Sequence, residues 1–302
     1  MTGAGPDADG IGDAVFTAER ARLVGIAYRM LGDAAEAEDV VQDTWLKWTD
    51  VDHGSLDQPA AYLTTIVTRL TIDRLRSARV RRETYVGPWL AEPVLTDPEP
   101  AETVALAESV TIGFLHLLDH LGAVERAVYL LHEVFDLPYR DIGPMVDRSE
   151  DACRQIASRA RRRLAEHREP ARRRPEPGRE QELVEGLLGA VVGGDMAALE
   201  RLLTADVVLT SDGGGVRHAA VRPVIGASRV ARFLTNLAKR APENARLEPA
   251  MVNREPAYLV WAGDELELVL IVGASETGVD HLHGIRNPEK LKAITAGYHI
   301  PL

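Results

Sequence analysis

LPYRDIGPMVDRSEDACRQIASRARRRL, residues 137–164, holds two short helical patterns separated by a break at Asp147-Arg148. The first runs to about Val146. Ser149 stands where an N-cap belongs, and Glu150 and Asp151 fill the next turn, where carboxylates meet the positive end of a helix dipole. In the second helix Ala152, Ile156, Ala160 and Leu164 recur at every fourth position and are expected to face a core, which leaves Arg154, Gln155, Ser158, Arg159 and Arg162 outward. Arginine pairs bidentately with guanine, glutamine pairs with adenine, and further arginines anchor phosphates. The outward set, led by Ser149, therefore has the chemistry of a helix seated in a major groove. The competing reading is a helical hairpin with a basic solvated face. Pro144 removes a backbone donor inside the first helix and is expected to distort it. Cys153 is expected to be a half-buried packing residue, not a redox switch.

The charge around this segment is segregated. The chain of 302 residues has a net charge of −11, yet residues 69–82 hold 6 arginines against 1 aspartate, and residues 148–180 hold 11 basic against 6 acidic residues. The flanks are acidic: residues 1–68 hold 12 acidic against 4 basic, and residues 83–147 hold 12 against 2. Two arginine blocks on expected helices fit phosphate binding, and their acidic borders repel DNA and suit a basic protein partner. A single cysteine excludes an internal disulfide or a cysteine zinc site, and no apolar run approaches the length of a membrane span. The N-terminus MTGAGPDADG has neither the basic nor the apolar region of a leader, so a cytoplasmic location is expected.

Outward from the hairpin, residues 14–82 read as three or more helices, with Leu23, Ile26, Ala27 and Met30 at helical spacing. Residues 83–101, with Pro88, Pro93, Pro98 and Pro100, read as a linker; 102–168 form a second helical unit; and 169–180 form a second linker. Beyond residue 181 two short helices precede β-rich runs at 207–210, 257–262 and 266–274, with a further helix at 227–240. Helices followed by strands indicate a separate α+β domain over 181–302.

The helix within 33–48 places Asp39, Gln42, Asp43 and Leu46 on one flank, with Val40, Val41 and Trp45 inward. Such a face suits docking on a basic coiled coil, or is simply solvated. Downstream, Tyr62, Thr65, Arg69, Asp73 and Arg76 line a helix that becomes more basic along its length. An aromatic and a hydroxyl there suit an unstacked base, with arginines following the strand, and plain core is the alternative for Tyr62.

AEDVVQDTWLKW, AAYLTTIVTRLTIDRLRSAR and the 137–164 hairpin, in this order and at these separations, resemble domains 2 and 4 of extracytoplasmic-function sigma factors, the specificity subunits of bacterial RNA polymerase. The resemblance covers about residues 14–168. It implies two all-α domains, a domain 2 helical bundle and a domain 4 helix-turn-helix, with no catalytic residue, metal or cofactor. Asp39, Gln42, Asp43 and Leu46 would dock on the clamp helices of the polymerase β′ subunit, and the polymerase β flap would be a further partner. The 48–58 loop, with Trp48, Tyr62, Thr65, Arg69 and Arg76, would capture the −10 element. Ser149, Arg154, Gln155, Ser158, Arg159 and Arg162 would read the −35 element. The rival function is a DNA-binding regulator that acts without polymerase.

The remaining residues resemble a SnoaL-like (NTF2-like) cone, the extension of one sigma subgroup, on three motifs: Trp89-Leu90-Ala91-Glu92-Pro93, Asp212-Gly213-Gly214-Gly215 and Asn287-Pro288-Glu289-Lys290-Leu291. The resemblance implies that the extension, through Asp212–Gly215 and Asn287–Leu291, contacts the Trp89–Pro93 segment and domain 2 and regulates the sigma domains in cis. The subgroup's lysine after the glycines is Val216 here, and Arg217 would point to the opposite face of an extended segment. Plain turns and an Asn-Pro helix start are the bland readings. A ligand sensor, or a cyclase-like or isomerase-like enzyme using Asp212, His218, His281 and His283, are the alternatives for the extension.

Overall fold

The computed structural model describes residues 7–82, 84–96, 104–167 and 175–299, which form two compact units. The first unit joins the helices before residue 83 to those of 104–167. The second joins 84–96 to 175–299, so the segment expected to be a free linker belongs to the C-terminal body.

The first unit opens with α1 (Asp7–Leu31), α2 (Ala34–Thr49) and α3 (Pro59–Arg82). Helix α1 starts seven residues before the expected Ala14. Leu23, Ile26, Ala27 and Met30 are wholly buried, as their spacing requires. Asp33 caps α2 by accepting from the Glu36 amide. Then follow α4 (Val104–Glu108), α5 (Ile112–Leu117), α6 (Ala123–Glu133), α7 (Tyr139–Val146) and α8 (Glu150–His167).

Two arginines, each nearly sealed from solvent, bind the early helices to the later ones. Arg29 donates to Ser109 Oγ at 2.7 Å and to the Leu106 carbonyl at 3.2 Å. Arg126 donates to the Met30 carbonyl at 2.7 Å, the Leu118 carbonyl at 3.1 Å and Asp119 at 2.6 Å. Buried guanidinium is tolerated because its donors are met.

The hairpin is α7, a turn and α8. Asp147 takes the left-handed conformation (φ 56°), and Ser149 Oγ accepts from the Ala152 amide at 3.2 Å. Pro144 does not break α7. It lies on the exposed side of a helix of only 8 residues, and the carbonyl four positions back belongs to exposed Arg140. The buried stripe of α8 is Cys153, Ile156, Ala157, Ala160 and Leu164. Ala152, expected inside, is half-buried, and Cys153, expected half-buried, is sealed, with burial pushing its thiol pKa upward. Packing rotates the stripe by part of a turn relative to strict four-residue spacing.

In the second unit α9 (Pro177–Gly193) begins inside the expected 169–180 linker, with Pro177 at its first position. Helix α10 (Met196–Leu202) leads into β1 (Leu203–Asp212), β2 (Val224–Ile225), α11 (Ala227–Ala238), β3 (Ala245–Val252), β4 (Glu255–Ala262), β5 (Glu265–Ser275) and β6 (Gly278–Ile285), ending in a 3-10 turn at Pro288–Leu291 and α12 (Lys292–Thr295). The sheet order is β2-β1-β6-β5-β4-β3, antiparallel except for β1 beside β6. One face packs Val207, Leu209, Tyr258, Val272 and Leu282 against Leu187, Leu199, Val230 and Leu234 of the helices, which makes the α+β cone. Two bulges matter to the sites below: Glu267 is the extra residue of β5 against β4, and Asp280 the extra residue of β6 against β5.

Gly143 approaches the hairpin turn so closely that a Cβ would lie 2.7 Å from the Arg148 carbonyl oxygen. Gly143→Ala is therefore expected to destabilise the helical unit by about 1–3 kcal/mol. Urea unfolding followed by circular dichroism reads this, and an unchanged midpoint would refute the tight approach.

Candidate functional site

On α2, Asp39, Gln42 and Leu46 are exposed, Leu46 at 56% of its full area, and Asp43 is partly exposed with Arg74 3.6 Å away. These four form one flank. Trp45 is half-buried, its ring 4.8 Å from Phe16.

Trp48, expected among the −10 contacts, is a core residue. It has no exposed area, its indole N–H donates to the Gly12 carbonyl at 3.0 Å, and its ring lies 4.2 Å from that of His53. The indole fastens the 50–58 loop to α1 and has no surface to offer a base. Tyr62 is exposed, Thr65 is half-buried with its hydroxyl on the Ala61 carbonyl, and Arg76 is exposed beside Asp73.

Arg69 has a partner that no sequence pattern marks: its Nη2 donates to the Pro144 carbonyl at 2.7 Å and its Nε to the Met145 carbonyl at 3.3 Å. A guanidinium from α3 thus binds carbonyls at the end of α7. On α8, Arg154 is engaged by Glu150 and Asp151, whereas Gln155, Ser158, Arg159 and Arg162 are exposed. Arg159 and Arg162 have no ion pair among the described residues. Arg161 and Arg163 are tied to Glu133 and Glu125.

In the second unit the three sequence motifs meet at Asp212, which is wholly buried at the end of β1. Its Oδ1 accepts from Tyr85 Oη at 2.5 Å and from the Gly214 amide at 3.0 Å, and its Oδ2 from the Leu90 amide at 2.9 Å and Lys290 Nζ at 2.6 Å. Lys290 also donates to the Leu90 carbonyl, and its ammonium lies 4.1 Å from the Trp89 ring and 4.9 Å from the Tyr85 ring. Burial, followed by the hydrogen bond and charge of Asp212, pushes the Tyr85 phenol far above its ordinary pKa.

Asn287 donates to Tyr85 Oη at 2.9 Å and caps the following turn through the Glu289 amide. Gly214 and Gly215 take positive φ (62° and 72°), and a Cβ on Gly214 would stand 2.6 Å from Asn287. Pro288 starts the turn and Leu291 is buried. Val216, where the subgroup carries a lysine, is exposed, and the cation on Asp212 is Lys290 of the C-terminal motif. The glycine run is a tight turn, not an extended segment, and Arg217 leaves it to pair with Glu265 and Glu267.

Residues 84–96 form a strap that runs from the Asp212 carboxylate to the β3–β4 turn. Leu90, Ala91 and Val94 have no exposed area, Pro93 is buried, and Glu92 is 6% exposed. The far end is pinned at the β3–β4 turn, where Asn253 and Arg254 both have positive φ. Val94 donates to Asn253 Oδ1 at 3.0 Å, the Asn253 amide returns to the Val94 carbonyl, and the Thr96 amide reaches the Met251 carbonyl. Tyr85, Asn253 and Thr96 went unread in the sequence. An Asn at a hairpin turn was the one available signal.

Of the three histidines only His281 and His283 come together, their rings 5.3 Å apart. His218 is exposed on the loop after the glycine turn. His281 and His283 alternate onto one face of β6, His281 with Nδ1 2.7 Å from Asp280 and Nε2 3.0 Å from Glu255. Burial opposes its charge, but the bonds and charges of the two carboxylates prevail and its pKa is pushed up to about 10.

Profiles of sigma-70 region 2 and sigma-70 region 4 match residues 15–81 and 113–164. SigJ of Mycobacterium tuberculosis, an ECF RNA polymerase sigma factor, is 40% identical over 228 residues, covering 74% of this chain and 72% of the relative. The probable ECF sigma factor SigI of the same organism is 31% identical over 286 residues, covering 94% and 96%. The crystal structure of SigJ superposes with a TM-score of 0.73 at 32% identity, covering 92% of this chain and 97% of that one. The chain belongs to the extracytoplasmic-function RNA polymerase sigma factors, which direct core polymerase to promoters, and it carries a SnoaL-like extension.

Lys290→Met strands the Asp212 carboxylate in a buried site, and a loss of about 3–5 kcal/mol from the second unit is expected. Asp212→Asn combined with Lys290→Met removes both charges and should recover part of that loss. Urea midpoints of the wild type and the two variants test this, and a Lys290→Met midpoint equal to that of the wild type would show the pair to be unimportant. For His281 the folded-state pKa lies above the unfolded value of about 6.5, so its contribution is complete at pH 6 and fades as pH rises toward 10. The stability difference between wild type and His281→Gln should accordingly be larger at pH 6 than at pH 10.

Proposed function

We propose that this sigma factor docks on polymerase through the α2 flank, reads its promoter through two arginine-bearing helices, and is held in check by its own C-terminal unit. The carrying observation is the exposed, unpaired pair Arg159 and Arg162 on a helix that lies within the sigma region 4 match. With Gln155 and Ser158 they present donors for guanine, adenine and phosphate of a −35 element along one helix face. Ser149 and Arg154 stand at its entry, Ser149 as the cap.

Asp39, Gln42, Asp43 and Leu46 combine carboxylates, an amide and an exposed leucine, a surface suited to the β′ clamp helices. Tyr62, Thr65, Arg69 and Arg76 face the −10 strand, with Trp48 acting only as the fastener of the adjoining loop. Arg69 cannot serve phosphate and the α7 carbonyls together, so −10 recognition requires α7 to leave it. The strap, with its Asp212 and Lys290 anchor, holds part of the segment that joins the two promoter-reading halves, and this is the route by which the extension acts on them.

Run-off transcription with bacterial core polymerase tests the reading. A transcript that needs both core and this chain is expected, with about tenfold or greater loss in Arg159→Ala or Leu46→Arg. Lys290→Met should alter promoter output while leaving core binding intact. Duplex DNA binding that persists without polymerase, with no sigma-dependent transcript, would replace this reading by that of a free regulator.

A further inference from the structure

The second unit contains a cavity of about 540 Å³ whose walls come from the end of α11, the loop after the glycine turn, and strands β4 and β5. This lies within the size range of small-molecule sites, roughly 300–1,000 Å³. Phe233, Leu237, Val260 and Leu268 supply an apolar lining, with Ala241 and Pro242 at the loop after α11. The bulge in β5 brings Glu267 into the same wall as Leu268, a neighbour that regular alternation would have sent to the other face.

The polar groups are biased to one sign. Glu267 is already engaged by Arg286 at 3.2 Å and Arg217 at 3.3 Å. Arg286, also in the wall, gives Nη1 to the His218 carbonyl at 2.8 Å, while its Nε is buried with no hydrogen-bond acceptor among the described residues. Arg240, at the end of α11, is exposed and has no ion pair among the described residues. An apolar chamber with one spent carboxylate, one arginine short of an acceptor and one uncommitted arginine lacks an anion with a hydrocarbon body. A dianion or a nucleotide would find too little polar wall. A neutral hydrocarbon would leave Arg240 and the Arg286 Nε unanswered.

We infer that this cavity binds an amphipathic small-molecule carboxylate, its chain or ring against Phe233, Leu237 and Leu268 and its carboxylate between Arg240 and Arg286. The site is distinct from the Asp212 cluster and does not depend on the regulatory reading of the extension.

Isothermal titration of the full chain with decanoate, and with decanol as the neutral probe, tests it. Saturable one-to-one binding of decanoate is expected, about tenfold tighter than that of decanol. Arg240→Gln, an exposed change, should weaken decanoate about tenfold and leave decanol unchanged. Ala241→Trp, also exposed, should obstruct the chamber and abolish binding of both. Absence of saturable decanoate binding overturns the inference, as does equal affinity for decanol or binding undiminished in Ala241→Trp.

Discussion

Asp212 sits beyond the reach of water at the end of β1, and a charge there is tolerable only because four donors converge on it, one of them an ammonium. Desolvating an unpaired carboxylate costs several kcal/mol, so the groups around it are held to their places. Tyr85 and Leu90 belong to the strap, Gly214 to the glycine turn and Lys290 to the C-terminal turn. The carboxylate thus makes three distant stretches of sequence a single object. Once Leu90 is fixed, Ala91 and Val94 follow onto the sheet, where burying a side chain such as Leu90 adds about 2 kcal/mol.

The helical unit uses a different device for the same purpose. Arg29 and Arg126 give their donors to carbonyls, a hydroxyl and the Asp119 carboxylate, which ties α1 to the segment around α4, α5 and α6. These bonds reward one arrangement, whereas the apolar contacts beside them are indifferent to small shifts. Arg69 belongs to this set by geometry but differs in exposure, so its bonds to the α7 carbonyls are the most readily exchanged of the three.

Much of this was legible. Helical periodicity located the buried residues of α1, the cap at Ser149 and the basic outer face of α8, and the three motifs of the extension were recognisable as strings. What escaped depends on tertiary register. Trp48 looks like a loop aromatic until its N–H is found on Gly12, and in α8 Ile156, Ala160 and Leu164 face inward as expected while Cys153 takes the place assigned to Ala152. The bulges that send Glu267 and Asp280 to unexpected faces leave no mark in alternation patterns. Tyr85 and Asn253 meet their partners across more than a hundred residues. That Lys290 of the C-terminal motif would meet Asp212 of the glycine motif is likewise invisible in the strings, since the two lie 78 residues apart.

The strap makes the C-terminal unit discontinuous in sequence, with the domain 4 helices inserted between its two pieces. A ribosome delivers residues 84–96 long before the sheet that receives them, so Leu90 and Val94 emerge as orphans awaiting their bed. Conversely, a fragment cut to begin after residue 175 would leave Asp212 deprived of two of its donors. The extension is therefore not a module that evolution or an experimenter can detach at the second linker. Its natural boundary runs through the middle of the sigma factor itself.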